Sequence, residues 1–250
     1  MFTLIGWSEA QSYGAALAAI AGLADPHVRV ENTNIIVPPD LGFLGAVMGI
    51  GAYISQVRME SPSLRRVALL DLVGLNVNAE PVSPAVVRDQ FHAPIMLDAY
   101  EPMRALVSNS ASSGTTQVTV LAWLTDGSLA PVHGEIYTIR ATASATLTGY
   151  AWTNAALAFS QVLPAGRYQV VGMAAQSTGL LAARLVFVGG KWRPGCVGQD
   201  AAGDITPEIF RLGRLGVWGE FTHDAPPTVD FLSSSADTSE TVWLDIVKVG

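Results

Sequence analysis

Runs of strand length, each closed by Gly, Pro, Asn, Asp or Ser, follow one another through most of this 250-residue chain. The clearest is TTQVTVLAWLTDG, in which Val118, Val120, Ala122 and Leu124 alternate with Gln117, Thr119, Leu121 and Trp123. A period of two puts successive side chains on opposite faces of a sheet. The Asp126-Gly127 pair then turns the chain at little cost, because glycine accepts φ > 0. A pattern of this kind leaves little helical material for βαβ units and points to packed sheets.

Residues 27–37 and 65–77 read as strands in the first half. Residues 136–148, 155–162, 167–175, 181–188, 215–222, 228–232 and 241–249 read so in the second. Pro164-Ala165-Gly166 and Gly189-Gly190 supply turns between them. Strand-sized runs at roughly eight-to-twelve-residue spacing predict an all-β sandwich or jelly roll. Residues 128–134, SLAPVHG, carry both Pro and Gly and form the most credible boundary. The expectation is therefore two tandem jelly-roll sandwiches, residues 27–127 and 134–250, with one large sandwich as the second arrangement. No clean internal sequence repeat joins the halves.

Three segments depart from that pattern. Residues 1–26 are expected to be a helical segment, with its helix over 8–24. Ser8 and Gln11 resemble a capping box, Tyr13, Leu17, Ile20 and Ala24 recur at helical spacing, and Asp25-Pro26 ends the run. The stretch 41–54 is apolar without clear alternation and could be helical. It is too short to span a bilayer. Residues 204–212, DITPEIFRL, suggest a short helix with Thr206 as N-cap and Pro207 at its first position.

Charge limits what the chain can bind. Charged residues make up 14% of the sequence while apolar ones make up 50%, against a usual charged share of roughly 25%. A surface so poor in charge is commonly hidden in partners. The net charge of −7 argues against a dedicated nucleic-acid binder, which needs a basic patch. Residues 200–250 hold nine acids against Arg211, Arg214 and Lys248. Cys196 is the single cysteine, so no internal disulfide is possible and stability must come from packing or assembly. The N-terminus lacks the basic region and cleavage site of a signal peptide, which favours synthesis in the cytoplasm.

Catalytic constellations are not found. His27, His92, His133 and His223 are far apart and none has metal-ligand spacing. His223-Asp224 beside Glu220 is a metal set only on paper, since such residues before Ala225-Pro226-Pro227 more often cap turns. No G-x-S-x-G string occurs. Ser108, Ser110, Ser112 and Ser113, and the cluster at 233–235, read as loops, and Cys196 has no nearby His. Gly49-Ile50-Gly51 is only a fragment of a dinucleotide fingerprint, better explained by close backbone approach. Trp123, Trp152, Trp218 and Trp243 are expected in cores or interfaces. Trp192, between Lys191 and Arg193, is the first candidate for an exposed contact. No catalytic, cofactor-binding or metal-ligating residue is therefore assigned, no cofactor is expected, and the chain is read as a non-enzyme.

The strings SPSLRRVALLDL (61–72), LPAGRYQVVGMAA (163–175), LAARLVFVGGKWRPG (181–195) and DTSETVWLDIV (237–247) look like strand-turn-strand phrases of coat proteins. With the two β-rich halves, the chain resembles the double jelly-roll major capsid proteins of small icosahedral bacterial viruses. That resemblance implies a structural protein of the virion, made in the host cytoplasm. It further implies homotrimers that form pseudo-hexagonal capsomers of a viral shell. The implied partners are other copies, neighbouring capsomers and other capsid proteins such as vertex proteins. An internal membrane would be a further partner where one exists, and no direct sequence-specific nucleic-acid binding is implied. The alternative is a carbohydrate- or cell-binding β-sandwich module of a spike or accessory protein, and a third is a β-rich enzyme with an unrecognised site.

Overall fold

The computed structural model describes residues 1–12, 14–51, 54–67, 70–73, 87–109, 114–200 and 207–250. Tyr13, Ala52, Tyr53, Ala68, Leu69, residues 74–77, Ser110, Ser112, Ser113 and residues 204–206, which figured in the sequence reading, lie outside the described residues. The chain divides into two compact units, one holding the described residues from Ile5 to Gly127, the other Met1–Leu4 with Ser128–Gly250.

Along the first unit run β1 (Phe2–Ser12), β2 (Gly14–Ala19), β3 (Val30–Glu31), β4 (Asn34–Ile36), β5 (Phe43–Ile50), β6 (Ile54–Glu60), helix α1 (Pro62–Val67), β7 (Leu70–Val73), β8 (Arg88–Asp89), β9 (Ile95–Met96), β10 (Pro102–Asn109) and β11 (Thr115–Thr125). One sheet has the order β1-β11-β5-β8, with β9 also on β5. The other has the order β3-β4-β10-β6-β7, with β2 also on β10. Because β2 and β4 lie in turn along the same edge of β10 (Val107 opposite Ala18, Met103 opposite Ile35), they act as one interrupted strand. Counting them so, strand positions in chain order stand 1-8-3-6 in one sheet and 2-7-4-5 in the other. That is the double Greek key of a jelly roll.

The second unit contains β12 (Tyr137–Ala143), β13 (Thr153–Ala155), β14 (Ala158–Phe159), β15 (Arg167–Gln176), β16 (Leu180–Val186), β17 (Gly195–Gln199), β18 (Gly219–Thr222), β19 (Thr228–Ser233) and β20 (Glu240–Lys248), with a 3-10 turn at Glu208–Phe210. Pairing gives β12-β20-β15-β18 and β13-β19-β16-β17, while β14 flanks β12. With β14 set aside, the positions again stand 1-8-3-6 and 2-7-4-5. A short parallel contact, Ala175 opposite Gly198, joins the two sheets where β15 meets β17. The same winding is thus used twice, without a repeat in the sequence.

Burial explains why some strands are hard to read. In β5 every residue after Phe43 is buried, and in β11 all from Val118 onward. Both faces of these central strands leave water; in β5 alternation is lost and a continuous apolar run remains, whereas Gln117 and Thr119 keep a period of two legible at the start of β11. Trp7 and Trp123 have no exposed surface. Burying a Trp removes roughly 150–250 Å² from water, worth about 4–6 kcal/mol as an upper estimate.

The N-terminal helix expected over 8–24 does not form: β1 and β2 occupy this stretch. Phe2–Trp7 are all buried, so their apolar character belongs to a sheet interior. Ser8 is no helix cap. Its hydroxyl contacts the Val118 carbonyl at 3.2 Å and the Thr119 hydroxyl at 2.9 Å, tying β1 to β11. This stretch thus supplies a strand to each of the two sheets, β1 beside β11 and β2 beside β10. The stretch 41–54 supplies β5 as a strand, with Gly49 so close to Val57 that a Cβ would lie 2.6 Å from its methyl group. Instead of a helix over 204–212, the described part holds only the 3-10 turn, with no side-chain cap.

Candidate functional site

A concavity lies on the outer face of the first jelly roll. In β4, β10 and β6 the residues Ile35, Met103 and Met59 point into the core with 1% exposure or less. Strand alternation therefore sends the intervening residues to the opposite face. Register aligns three of these in a row, Asn34 opposite Arg104 and Arg104 opposite Glu60. Glu60 ends β6, and α1 begins at once, with the Ser61 hydroxyl capping the Leu64 amide at 3.1 Å. That turn brings Arg65 back over Glu60.

One carboxylate oxygen of Glu60, Oε2, accepts from Arg104 Nε at 3.0 Å, Arg104 Nη2 at 2.8 Å and Arg65 Nη2 at 2.9 Å. Burial opposes ionisation of Glu60, but hydrogen bonds and charge from Arg104 and Arg65 outweigh it and hold its carboxyl below the ordinary value. The surrounding cleft has a volume of about 260 Å³. Nearby, Glu101 accepts the Ser63 amide at 2.9 Å, and the Ser63 hydroxyl accepts from the Asp98 amide at 3.1 Å, so the helix start is fixed to the loop before β10.

The second jelly roll encloses two ion pairs. Asp245 on β20, fully buried, accepts from Arg211 Nε at 2.7 Å and Nη2 at 2.9 Å, the Thr138 hydroxyl at 2.7 Å and the Leu212 amide at 2.8 Å. Burial again opposes the charge, and these donors overcome it, so its carboxyl lies below the usual aspartate value. Room for the cluster comes from Gly172 at a register shift of β15. A Cβ there would stand 2.5 Å from Asp245 Oδ2. Arg184 on β16, with no exposure, donates to Asp230 Oδ2 at 3.0 Å and the Leu4 carbonyl at 3.1 Å. Its guanidinium carbon sits 4.0 Å from the centre of the Trp152 ring. Buried pairs of this kind add little net stability over apolar packing, but removing one partner is costly because it strands the other charge.

The described residues weighed for chemistry from sequence lie in separate places. Glu220 is engaged by Arg167 and by Gln169 Nε2 at 2.8 Å across β18 and β15, while exposed His223 receives the Gly166 amide at 3.4 Å. Among the described residues no group of three His, Cys, Asp or Glu is placed to hold a metal ion. His92 and His133 are exposed, and His27 is half-buried. Ser233 and Ser234 donate to the Gly179 carbonyl, each at 3.1 Å, and so close a turn. Cys196 is buried, and loss of hydration pushes its thiol up to about 12, against an opposing pull from Arg211. Trp192 is not the exposed contact expected of it: it is 6% exposed, with the Lys191 ammonium 4.3 Å from its ring centre. The loop's Gly and Pro fold it inward under the lysine instead of presenting it.

Sequence reading did not single out Glu60, Arg65 or Arg104. Glu60 and Arg104 are 44 residues apart and meet only through β6–β10 register, which no local motif encodes.

No family model matches the chain, and no curated protein matches it. Among solved structures it is similar to the major capsid protein P2 from bacteriophage PM2, at 12% identity over 100% of this chain and 98% of that one, with a TM-score of 0.27. It is also similar to the STIV MCP, at 10% identity over 97% of each chain, with a TM-score of 0.25. Overlays this loose carry no argument by themselves. The fold rests on the strand pairing.

Proposed function

We propose that this chain is a structural major capsid protein whose copies self-assemble as homotrimers, the pseudo-hexagonal capsomers of an icosahedral viral shell. The observation that carries the reading is the double use of one winding. Both units order their strand positions 1-8-3-6 and 2-7-4-5. A chain with two like building blocks gives a trimer with six around one axis, which suits close tiling of a surface. We take the two jelly rolls as the chain's domains, with no separate N-terminal domain.

Composition and the coat-protein phrases support the same reading. The charged side chains at the best-formed clusters pair within the chain, and large apolar groups such as Met96, Tyr100, Val162 and Val188 are left exposed at its surface. Contacts with other copies would cover such groups. A carbohydrate-binding module built on tryptophan platforms would present them to solvent, whereas Trp7, Trp123, Trp192 and Trp218 are buried. In this reading the protein is no enzyme, acts in the virion after synthesis in the host cytoplasm, and meets other copies, vertex proteins and, where present, an internal membrane.

Light scattering coupled to size exclusion tests the assembly unit. A particle of three 26.3 kDa chains is expected. A monomer at every protein and salt concentration, combined with saturable glycan binding, would replace this reading by the carbohydrate-binding one.

A further inference from the structure

The cleft at Glu60 holds more positive charge than its carboxylate neutralises. Two guanidinium groups share a single oxygen of Glu60, and the side chains of Arg65 and Arg104 remain 57% and 39% exposed. Each guanidinium offers five N–H donors in a rigid fork. Arg104 directs its Nε and Nη2 to Glu60, and Arg65 only its Nη2. Among the described residues the Nη1 groups and the Arg65 Nε have no hydrogen-bond partner, and both arginines line the cleft. Asn34 adds an amide on the row beside Arg104, and Ser61 lines the same space. A fixed cluster of donors with a net charge of one, set in a hollow of about 260 Å³, suits a small oxyanion.

We propose that this cleft binds an oxyanion, a carboxylate or a phosphate group, through the free N–H groups of Arg65 and Arg104. Glu60 acts as a positioning residue: it fixes both guanidiniums in one orientation and also competes with the incoming anion for their charge. This double role gives the site a signature that a purely structural ion pair lacks. Removing the negative charge of Glu60 should strengthen anion binding, although it loosens the arginines.

Isothermal titration of the purified protein with inorganic phosphate and, separately, with acetate tests the proposal, each at constant ionic strength against a chloride control. Saturable binding above the chloride control is expected. Arg65→Gln should weaken it about tenfold, the loss of one charge-assisted hydrogen bond. Arg65 is the more exposed arginine and leaves the Glu60–Arg104 pair in place, so this variant should fold. Glu60→Gln should bind several-fold more tightly than the wild type. A preference for phosphate points to a phosphate-bearing partner, and a preference for acetate to an acidic side chain of another copy; either supports the site. No saturable binding, affinities unchanged by Arg65→Gln, or weaker binding by a folded Glu60→Gln would overturn it.

Discussion

Replacing Asp245 by Asn probes how the second jelly roll is held together. The side chain keeps its shape, but one acceptor oxygen becomes an NH2 facing donors. Asp245 is fully buried and receives four hydrogen bonds, two of them from Arg211. Breaking a buried ion pair by removing one partner costs about 3–5 kcal/mol. The side chain of Arg211 stays 29% exposed and recovers some hydration, which places the loss near the lower end, about 3 kcal/mol. For a chain of this size that lowers the unfolding midpoint by roughly 6–12 °C. Urea unfolding at equal m-value gives the difference directly. The sign of its pH dependence also follows. The folded-state pKa of Asp245 is depressed, so its contribution is full above the ordinary value of 3.8 and is lost as pH falls through the folded value. The gap between wild type and Asp245→Asn should therefore close in acid. A loss below about 1 kcal/mol, the scale of a surface pair, or a gap unchanged by acid, would refute the reasoning.

Glu240 should behave in the opposite sense. It is 1% exposed, neither carboxylate oxygen makes a well-formed hydrogen bond, and burial pushes its pKa up, only partly offset by the backbone of Ala145 and of Glu240 itself. Its folded-state value exceeds 4.5, so the stability it contributes is full below that pH and is lost as pH rises through the folded value. Glu240→Gln should stabilise the protein at neutral pH by about 1–3 kcal/mol and match the wild type in acid; urea midpoints at the two pH values check this. The Cys196 thiol, raised to about 12, should resist alkylation in the native protein at pH 8 and react once urea unfolds it, as mass spectrometry would show. Cys196→Ala, and Ala at each of the four histidines, should leave the oligomer mass unchanged in light scattering.

Legibility in the sequence followed the number of buried faces. β11 and β20 were read nearly to their ends because one stretch of each alternates and turn residues bound them. Phe2–Trp7 at the start of β1 are all buried and give no period of two, so nothing there marks a strand ahead of the helix expected over 8–24. Behind them, Leu17 and Ile20 happen to fall at helical spacing. β10 was passed over although its burial alternates at Met103, Ala105 and Val107, since Arg104 and Ser108 break up its apolar character. The all-β class lay in local chemistry. The candidate cleft did not. Its residues come from three strands and a helix, and only the register of β4, β10 and β6 sets Asn34, Arg104 and Glu60 in one row.

Electron microscopy of the purified protein, and of particles from its source, tests the shell-forming role most directly. Pseudo-hexagonal capsomers are expected, each a trimer of chains with six jelly rolls around its axis, tiling closed icosahedral shells. Dispersed particles of single-chain size under every assembly condition, or source particles whose shell is built from a different protein, would contradict it.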